Sequence, residues 1–178
     1  MFVDKGISVA VTGAPGTGKT TLCEQLLEKY IVASLKDLAK QFGCLGDVDS
    51  NDESAPIDIH ELSEKWQSES SEVTLIDGHL SHFLDVDAIV LLRCKPKDLQ
   101  ERLVKRGYSE SKITANVEWE MVAGTWSEIH EFEISVPVLE IDTTDAPIQS
   151  IVQLVTDWID DGCPALEQEE SSSSVDWL

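Results

Sequence analysis

Apolar positions along this chain fall into two alternating kinds of stretch: short runs with no polar face, and longer ones with helical spacing. Ile7 to Val11 is the first short run and predicts a buried strand; Thr21 to Leu27 follows with Leu22, Leu26 and Leu27 on one helical face. Tyr30 to Ser34, β-branched and short, predicts a second strand, and Leu35 to Phe42 returns to helical spacing through Leu35, Leu38 and Phe42, with Lys36 and Lys40 sharing a face. From Gly43 to Pro56 no period is sustained, and the Gly, Asp and Ser content predicts a mobile loop. Ile57 to Trp66 predicts a helix with Ile59, Leu62 and Trp66 inward, and a polar connection then leads to a buried strand over Val73 to Gly78.

The second half repeats the pattern. Ala88 to Cys94 predicts another strand, and Pro96 opens a helix over Lys97 to Arg106, with Leu99 and Leu103 inward and Gly107 as its stop. One long helix is predicted over Lys112 to Phe132, with Ile113, Val117, Val122, Trp126 and Ile129 at near-helical spacing. Val136 to Asp142 predicts the last strand. Asp145 and Pro147 then start a helix with Ile148, Ile151, Val152, Val155 and Ile159 inward, closed by Gly162. Strand and helix alternate throughout, so the expected class is α/β: a parallel sheet of about five strands with helices on both faces. Residues 1–162 form the expected single domain. Residues 163–178, acidic and carrying four consecutive serines from Ser171 to Ser174, read as a disordered tail whose final Trp177 and Leu178 contact nothing or, alternatively, form a short docking element.

Composition narrows the class. At 178 residues and 42% hydrophobic content, the chain can bury one substantial core. No apolar run suggests a membrane span and no secretory leader is apparent, so a cytoplasmic protein is expected. Cys23, Cys44, Cys94 and Cys163 lie far apart without a CxxC pair, which indicates reduced thiols rather than a zinc site or a disulfide framework. The net charge of −21 argues against a broad nucleic-acid-binding surface. It fits a solvated acidic shell, as at high salt, or a surface matched to a basic protein partner.

Chemistry enters at Gly13 to Thr20, GAPGTGKT, which fits the phosphate-binding P-loop pattern between a predicted strand and a predicted helix. A loop wrapped round a phosphate needs inward backbone N–H groups, and glycines at the close-approach positions, Gly13, Gly16 and Gly18, leave the room. Lys19 would face the β- and γ-phosphate oxygens, Thr20 would ligate Mg²⁺, and the helix start would aim its positive end at the anion. The expected fold is therefore a three-layer P-loop NTPase fold. Asp77, ending a neighbouring strand, is placed to hold a water on Mg²⁺. His79, two residues on, is a weaker candidate for phosphate chemistry. Arg93, Arg102 and Arg106 are the only arginines, and the polar stretch from Arg106 past Tyr108 to Lys112 could close over a nucleotide.

Taken together these motifs resemble the small atypical adenylate kinases, broad-specificity nucleoside monophosphate kinases that also serve in small-ribosomal-subunit maturation. The likeness rests on GAPGTGKTT at 13–21, Asp-x-His at 77–79, ERLVKRGYSESKI at 101–113 and NVEWE at 116–120, and it omits the tail. It implies ATP-phosphate contacts by Gly16, Gly18, Lys19, Thr20 and Thr21, a lid over 105–115 with Arg106 reaching ATP, and a Walker-B-like pair in Asp77 and His79. It also implies a monophosphate-binding region over 34–57, with Ser34 at its start and Asp37 at the family's Asp-Leu-Ala position. Two departures stand out: few arginines, and no lysine in Thr143-Thr144-Asp145 where some relatives present one to the nucleotide.

The resemblance implies a kinase moving the γ-phosphoryl of ATP, with Mg²⁺, to AMP or another nucleoside monophosphate, together with ATPase activity. The alternative is an ATPase switch that holds a basic ribosomal protein and has little kinase activity; no direct nucleic-acid contact or membrane partner is expected. A GTPase lacks its Asn-Lys-x-Asp motif here, and an AAA-type ATPase should follow its third strand with Asp-Glu where this chain has Asp77-Gly78. A shikimate-type small-molecule kinase would share the P-loop and lid and stays open on spacing.

Overall fold

The computed structural model describes residues 6–47, 55–165 and 175–177. Five strands, β1 (Ser8–Thr12), β2 (Ile31–Ser34), β3 (Thr74–Asp77), β4 (Ala88–Arg93) and β5 (Val138–Asp142), form one sheet in the order β2-β3-β1-β4-β5. Every pairing is parallel. Seven α-helices accompany them: α1 (Lys19–Leu26), α2 (Leu35–Gln41), α3 (Ile59–Lys65), α4 (Pro96–Lys105), α5 (Glu110–Met121), α6 (Gly124–Glu131) and α7 (Ile148–Asp160). This is the expected three-layer α/β architecture.

Side chains alternate across the sheet and sort the core into two faces. Val9 and Val11 of β1, Leu75 of β3 and Val90 of β4 pack with Leu22 and Leu26 of α1 and with Ile151, Val155 and Trp158 of α7. Ala10, Ile76, Ile89 and Leu91 point the other way, toward Leu35 and Ala39 of α2, Leu62 of α3 and Trp126 and Ile129 of α6. A third cluster, Ala14, Cys94, Leu99, Leu103 and Ile113, fixes α4 and α5 against the start of the glycine loop. Because β1 and β2 both pair with β3, Val11, Ser34 and Asp77 lie level at the C-terminal edge. That edge is where an open parallel sheet presents ligands.

Four expectations are corrected. The helix expected over Lys112 to Phe132 is two helices, α5 and α6, broken at Val122-Ala123. Ala123 takes a left-handed φ of 49°, and Val122 is 63% exposed rather than inward. The reason lies in Gly124: a Cβ there would come 2.1 Å from the Trp119 indole, so the ring folds over the turn only above a glycine. Leu27, expected inward, is exposed.

The loop from Gly43 to Pro56 is tied at its ends by an antiparallel bridge between Leu45 and Ile57, with Gly46 N–H on Pro56 O and Asp58 N–H on Cys44 O. Its centre, 48–54, lies outside the described residues. Both ends of the expected tail make contacts, and Trp177 takes the docking alternative. Cys163 is buried, Trp158 Nε1 donates to Pro164 O at 3.1 Å, and Trp177 is seated on Glu120 and Arg93; residues 166–174 and 178 lie outside the described ones. All four cysteines are buried free thiols, as expected. Among the described residues no helix is long and apolar enough to cross a membrane.

Candidate active site

Gly13, Gly16 and Gly18 all take positive φ, at 132°, 92° and 103°, which places the loop in a conformation L side chains rarely adopt. Gly13 has a second reason to be glycine, since a Cβ would meet Leu92 O at 2.3 Å. Lys19 is buried, and its ammonium donates to Gly13 O at 2.8 Å and Ala14 O at 2.9 Å, folded back over the loop. Burial pushes its pKa down to about 8; the Asp77 carboxylate resists and the Arg106 charge adds to the push. Thr17 Oγ1 donates to Ala14 O at 2.9 Å and pins the loop's inner turn.

Thr20 and Asp77 are brought together: Thr20 Oγ1 donates to Asp77 Oδ2 at 2.7 Å. One hydroxyl and one carboxylate at this separation are hard oxygen donors that suit a Mg²⁺ completed by water and phosphate oxygens. No group of three or more His, Cys, Asp or Glu that could hold a metal occurs among the described residues.

His79 stands beside them. Although part of its ring is exposed, loss of hydration in the cleft, followed by the charge of Lys19, pushes its pKa down to about 4, so it is neutral at pH 7. Its main chain is fixed by Thr12, whose Oγ1 donates to His79 O at 2.9 Å and also contacts His82 Nδ1 at 2.9 Å. His82 Nε2 in turn meets Glu128 Oε2 at 3.0 Å. The neighbouring Gly78 lies against Leu35, where a Cβ would come within 2.4 Å, so β3 and α2 meet closely behind the cleft.

Beside a cavity of about 290 Å³ that borders Gly13, Ala14 and Pro15, two others flank the centre of the glycine loop. The larger, about 600 Å³, is lined by Lys19, Thr20, Ser34, Lys36, Asp77, His79, Arg106, Lys112 and Asn116, among others. The smaller, about 410 Å³, is lined by Thr21, Leu22, Arg102, Lys105, Arg106, Ala146, Ile148 and Ile151, with a more apolar floor. Gly16, Gly18 and Arg106 are common to both. Among the expected site residues, Asp37 alone misses both cavities: it is exposed on the first turn of α2, where its N–H is capped by Ser34 Oγ at 3.4 Å. Lys36 lines the larger cavity instead.

Several residues that the sequence marked only as part of a stretch or a count find their contacts here. Arg102 clamps the segment after β5, donating to Thr143 O at 2.8 Å and Thr144 O at 3.1 Å. Thr143 Oγ1 reaches Thr17 O at 2.8 Å, so that segment is bonded to the glycine loop itself. Thr143-Thr144-Asp145 carries no lysine, and Arg102 and Lys105 of α4 line the same smaller cavity as Thr143. Lys112 and Asn116 stand four apart on α5 and so share a face, the one signal that could have paired them.

The glycine loop between β1 and α1 and the parallel sheet define a P-loop NTPase fold. A protein-family profile described as an AAA domain matches residues 9–123, although Gly78 stands where an AAA-type ATPase would carry Glu. The chain is 36% identical over 171 residues to a protein of Archaeoglobus fulgidus named "Putative adenylate kinase", covering 96% of this chain and 91% of that one. It is 40% identical over 158 residues to a protein of the same name from Pyrococcus abyssi, covering 86% and 84%. The chain belongs to this atypical adenylate-kinase family. Its fold is also similar to that of a deoxyadenosine kinase from M. mycoides solved with bound dATP, at TM-score 0.53 and 15% identity, over 86% of this chain and 99% of that one.

Proposed function

We propose that this chain is a phosphotransferase that moves the γ-phosphoryl of ATP to AMP or another nucleoside monophosphate. The observation that carries the reading is the pair of cavities sharing Gly16, Gly18 and Arg106: a donor and an acceptor nucleotide need pockets that meet at one phosphate-binding loop. The smaller, more apolar cavity suits the ATP base and ribose, with Thr21 and Arg102 at its wall. The larger takes the acceptor, with Ser34, Lys36 and Asn116 lining it and Lys112 facing its phosphate.

Transfer breaks the bond from the β–γ bridging oxygen of ATP to the γ-phosphorus and forms one from an acceptor phosphate oxygen, releasing ADP. Little covalent work falls to the protein, so its groups act by positioning and charge. Lys19 offsets charge on the β- and γ-oxygens, and Arg106, on the wall between the cavities, follows the group as it moves. Thr20, and Asp77 through water, would hold the Mg²⁺ that neutralises phosphate charge when bound. Neutral His79 can accept a hydrogen bond from a water or from the acceptor without adding repulsion. Exclusion of water by the 105–115 segment favours transfer over hydrolysis.

The depressed Lys19 pKa gives the site a pH signature. A phosphate beside the ammonium favours its charged form, so binding takes up a proton wherever free Lys19 is partly neutral. Affinity for ATP is expected to fall as pH rises above about 8, by up to about tenfold per unit. Calorimetry at pH 9 in buffers of different ionisation enthalpy checks it; no proton uptake would remove Lys19 from the phosphate site. For the free protein the sign is opposite. With the folded pKa at about 8 against 10.5 unfolded, the unfolded chain binds more protons between these values, so this group's contribution to stability rises with pH there.

A second reading has the net charge of −21 behind it: an ATPase switch that retains a basic ribosomal protein during small-subunit maturation in the cytoplasm. Chromatographic product analysis with Mg·ATP, alone and with each nucleoside monophosphate, separates the two. Two ADP formed per AMP consumed supports transfer and ranks the acceptors. ADP with free phosphate, indifferent to any monophosphate, favours the switch, and ATP-dependent retention of a basic ribosomal protein would then be required.

A further inference from the structure

Trp177 is separated from the rest of the described chain by residues 166–174, yet its indole rests on a buried charge cluster. Its Nε1 donates to Glu120 Oε1 at 3.1 Å, and its ring faces the Arg93 guanidinium, whose Cζ is 5.8 Å from the centroid. The same Glu120 oxygen accepts from Arg93 Nε at 2.7 Å and from Cys94 N–H at 3.2 Å, while Arg93 Nη2 donates to Glu120 O at 3.1 Å. Glu120 is 3% exposed and Arg93 2%. Helix α5 is thus tied by its last turn to the end of β4, and Trp177 supplies one of the ties.

The opposite end of that helix face is in the cleft. Lys112, Asn116 and Glu120 are successive i, i+4 positions, and Asn116 Nδ2 donates to Lys112 O at 2.7 Å. Lys112 and Asn116 line the larger cavity; they lie roughly 12 and 6 Å along the helix from Glu120, at 1.5 Å per residue. A helix of this length moves as a stiff rod, so loosening its last turn displaces both side chains.

We infer that Trp177 is a positioning residue for the acceptor side of the cleft: its indole completes the Glu120–Arg93 anchor and so fixes where α5 presents Asn116 and Lys112. In a buried network each acceptor is held by the donors that satisfy it, and loss of one admits water to the others. Burial raises the Glu120 pKa against the pull of Arg93, so this carboxylate depends on every donor it has.

The role in acceptor binding rests on the kinase reading; the hold on α5 does not. The test compares full-length wild type with Trp177→Ala, Trp177→Phe and, as a matched control, Val155→Ala in α7, which packs on the other face of the sheet. Hydrogen exchange over 110–121, AMP affinity by calorimetry and Tm are read for each. Trp177→Ala is expected to speed exchange across α5 at least about tenfold and to weaken AMP binding about three- to tenfold, with Mg·ATP affinity changed less than twofold. Trp177→Phe keeps a ring over Arg93 but loses the donor, and is expected in between. Val155→Ala should lower Tm and leave α5 exchange and AMP affinity as in wild type. If Trp177→Ala lowers Tm but leaves exchange over 110–121 at the wild-type rate, the inference is overturned and Trp177 only adds stability. If wild type binds no AMP, the kinase reading fails, and the exchange comparison still decides whether Trp177 holds α5.

Discussion

Lys19→Met is expected to lower phosphoryl transfer by about 10²–10³-fold in kcat, the cost of removing one preorganised charge from where phosphate charge develops. The ammonium sits over the glycine loop on Gly13 O and Ala14 O, so a bound phosphate exchanges two carbonyl contacts for charged ones without moving the lysine far. The fold should tolerate the change. Burial already disfavours the charged form, so methionine removes a desolvation cost along with the two hydrogen bonds. A Tm within a few degrees of wild type, together with the lost activity, would separate a catalytic defect from misfolding. Retention of both nucleotide affinity and transfer would sink the mechanism.

Arg93→Met should have the largest effect on stability. Arg93 donates through Nε to Glu120 and through Nη1 to Glu140, each at 2.7 Å, and Trp126 Nε1 reaches the same Glu140 oxygen at 2.8 Å. Removing the cation leaves two carboxylates buried without it, which costs about 3–5 kcal/mol. For a chain of this size the loss corresponds to a Tm drop of about 6–20 °C by calorimetry. The variant should also recover in part on acidification. With Arg93 gone Glu120 is protonated more readily in the folded state than in the unfolded one, so the folded state binds more protons and gains stability as pH falls. Arg93→Met combined with Glu120→Gln and Glu140→Gln should regain much of the loss at pH 7. If the single variant melts as wild type does, the cluster is not the buried charge network described here.

Some of this was readable from single stretches. Five runs matched five strands: β1, β3 and β4 are buried and largely apolar, while β2 and β5, at the sheet edges, were marked by short β-branched or apolar runs. Glycines at 13, 16 and 18 were legible because their positive φ is a property of the local chain. Other features were not local. The break between α5 and α6 went unseen because apolar residues recur every three to five positions from Ile113 to Ile129; the cause is the close approach of Trp119 to Gly124. Asp37 was placed by its position in a motif; it is exposed, and its neighbours Ser34, Leu35 and Lys36 line the larger cavity instead. Arg102 stood out in the sequence only as one of three arginines, and its bonds to Thr143 and Thr144, 41 and 42 residues distant, show it as the clamp beside the loop.

The sequence by itself determined the alternation of elements and the phosphate-binding loop; that Thr20 meets Asp77, 57 residues on, is a tertiary contact. The alternation and the loop are written in backbone preference or in hydrophobic period, which act over a few residues. Only the tertiary structure decided which charges meet: two cavities joined at Arg106, Arg93 between two glutamates, and Trp177 returning to Glu120 from 57 residues away. Those contacts depend on strand order and on the tilt of α5. Charged and aromatic side chains carry no sign in the sequence of the partner that will bury them.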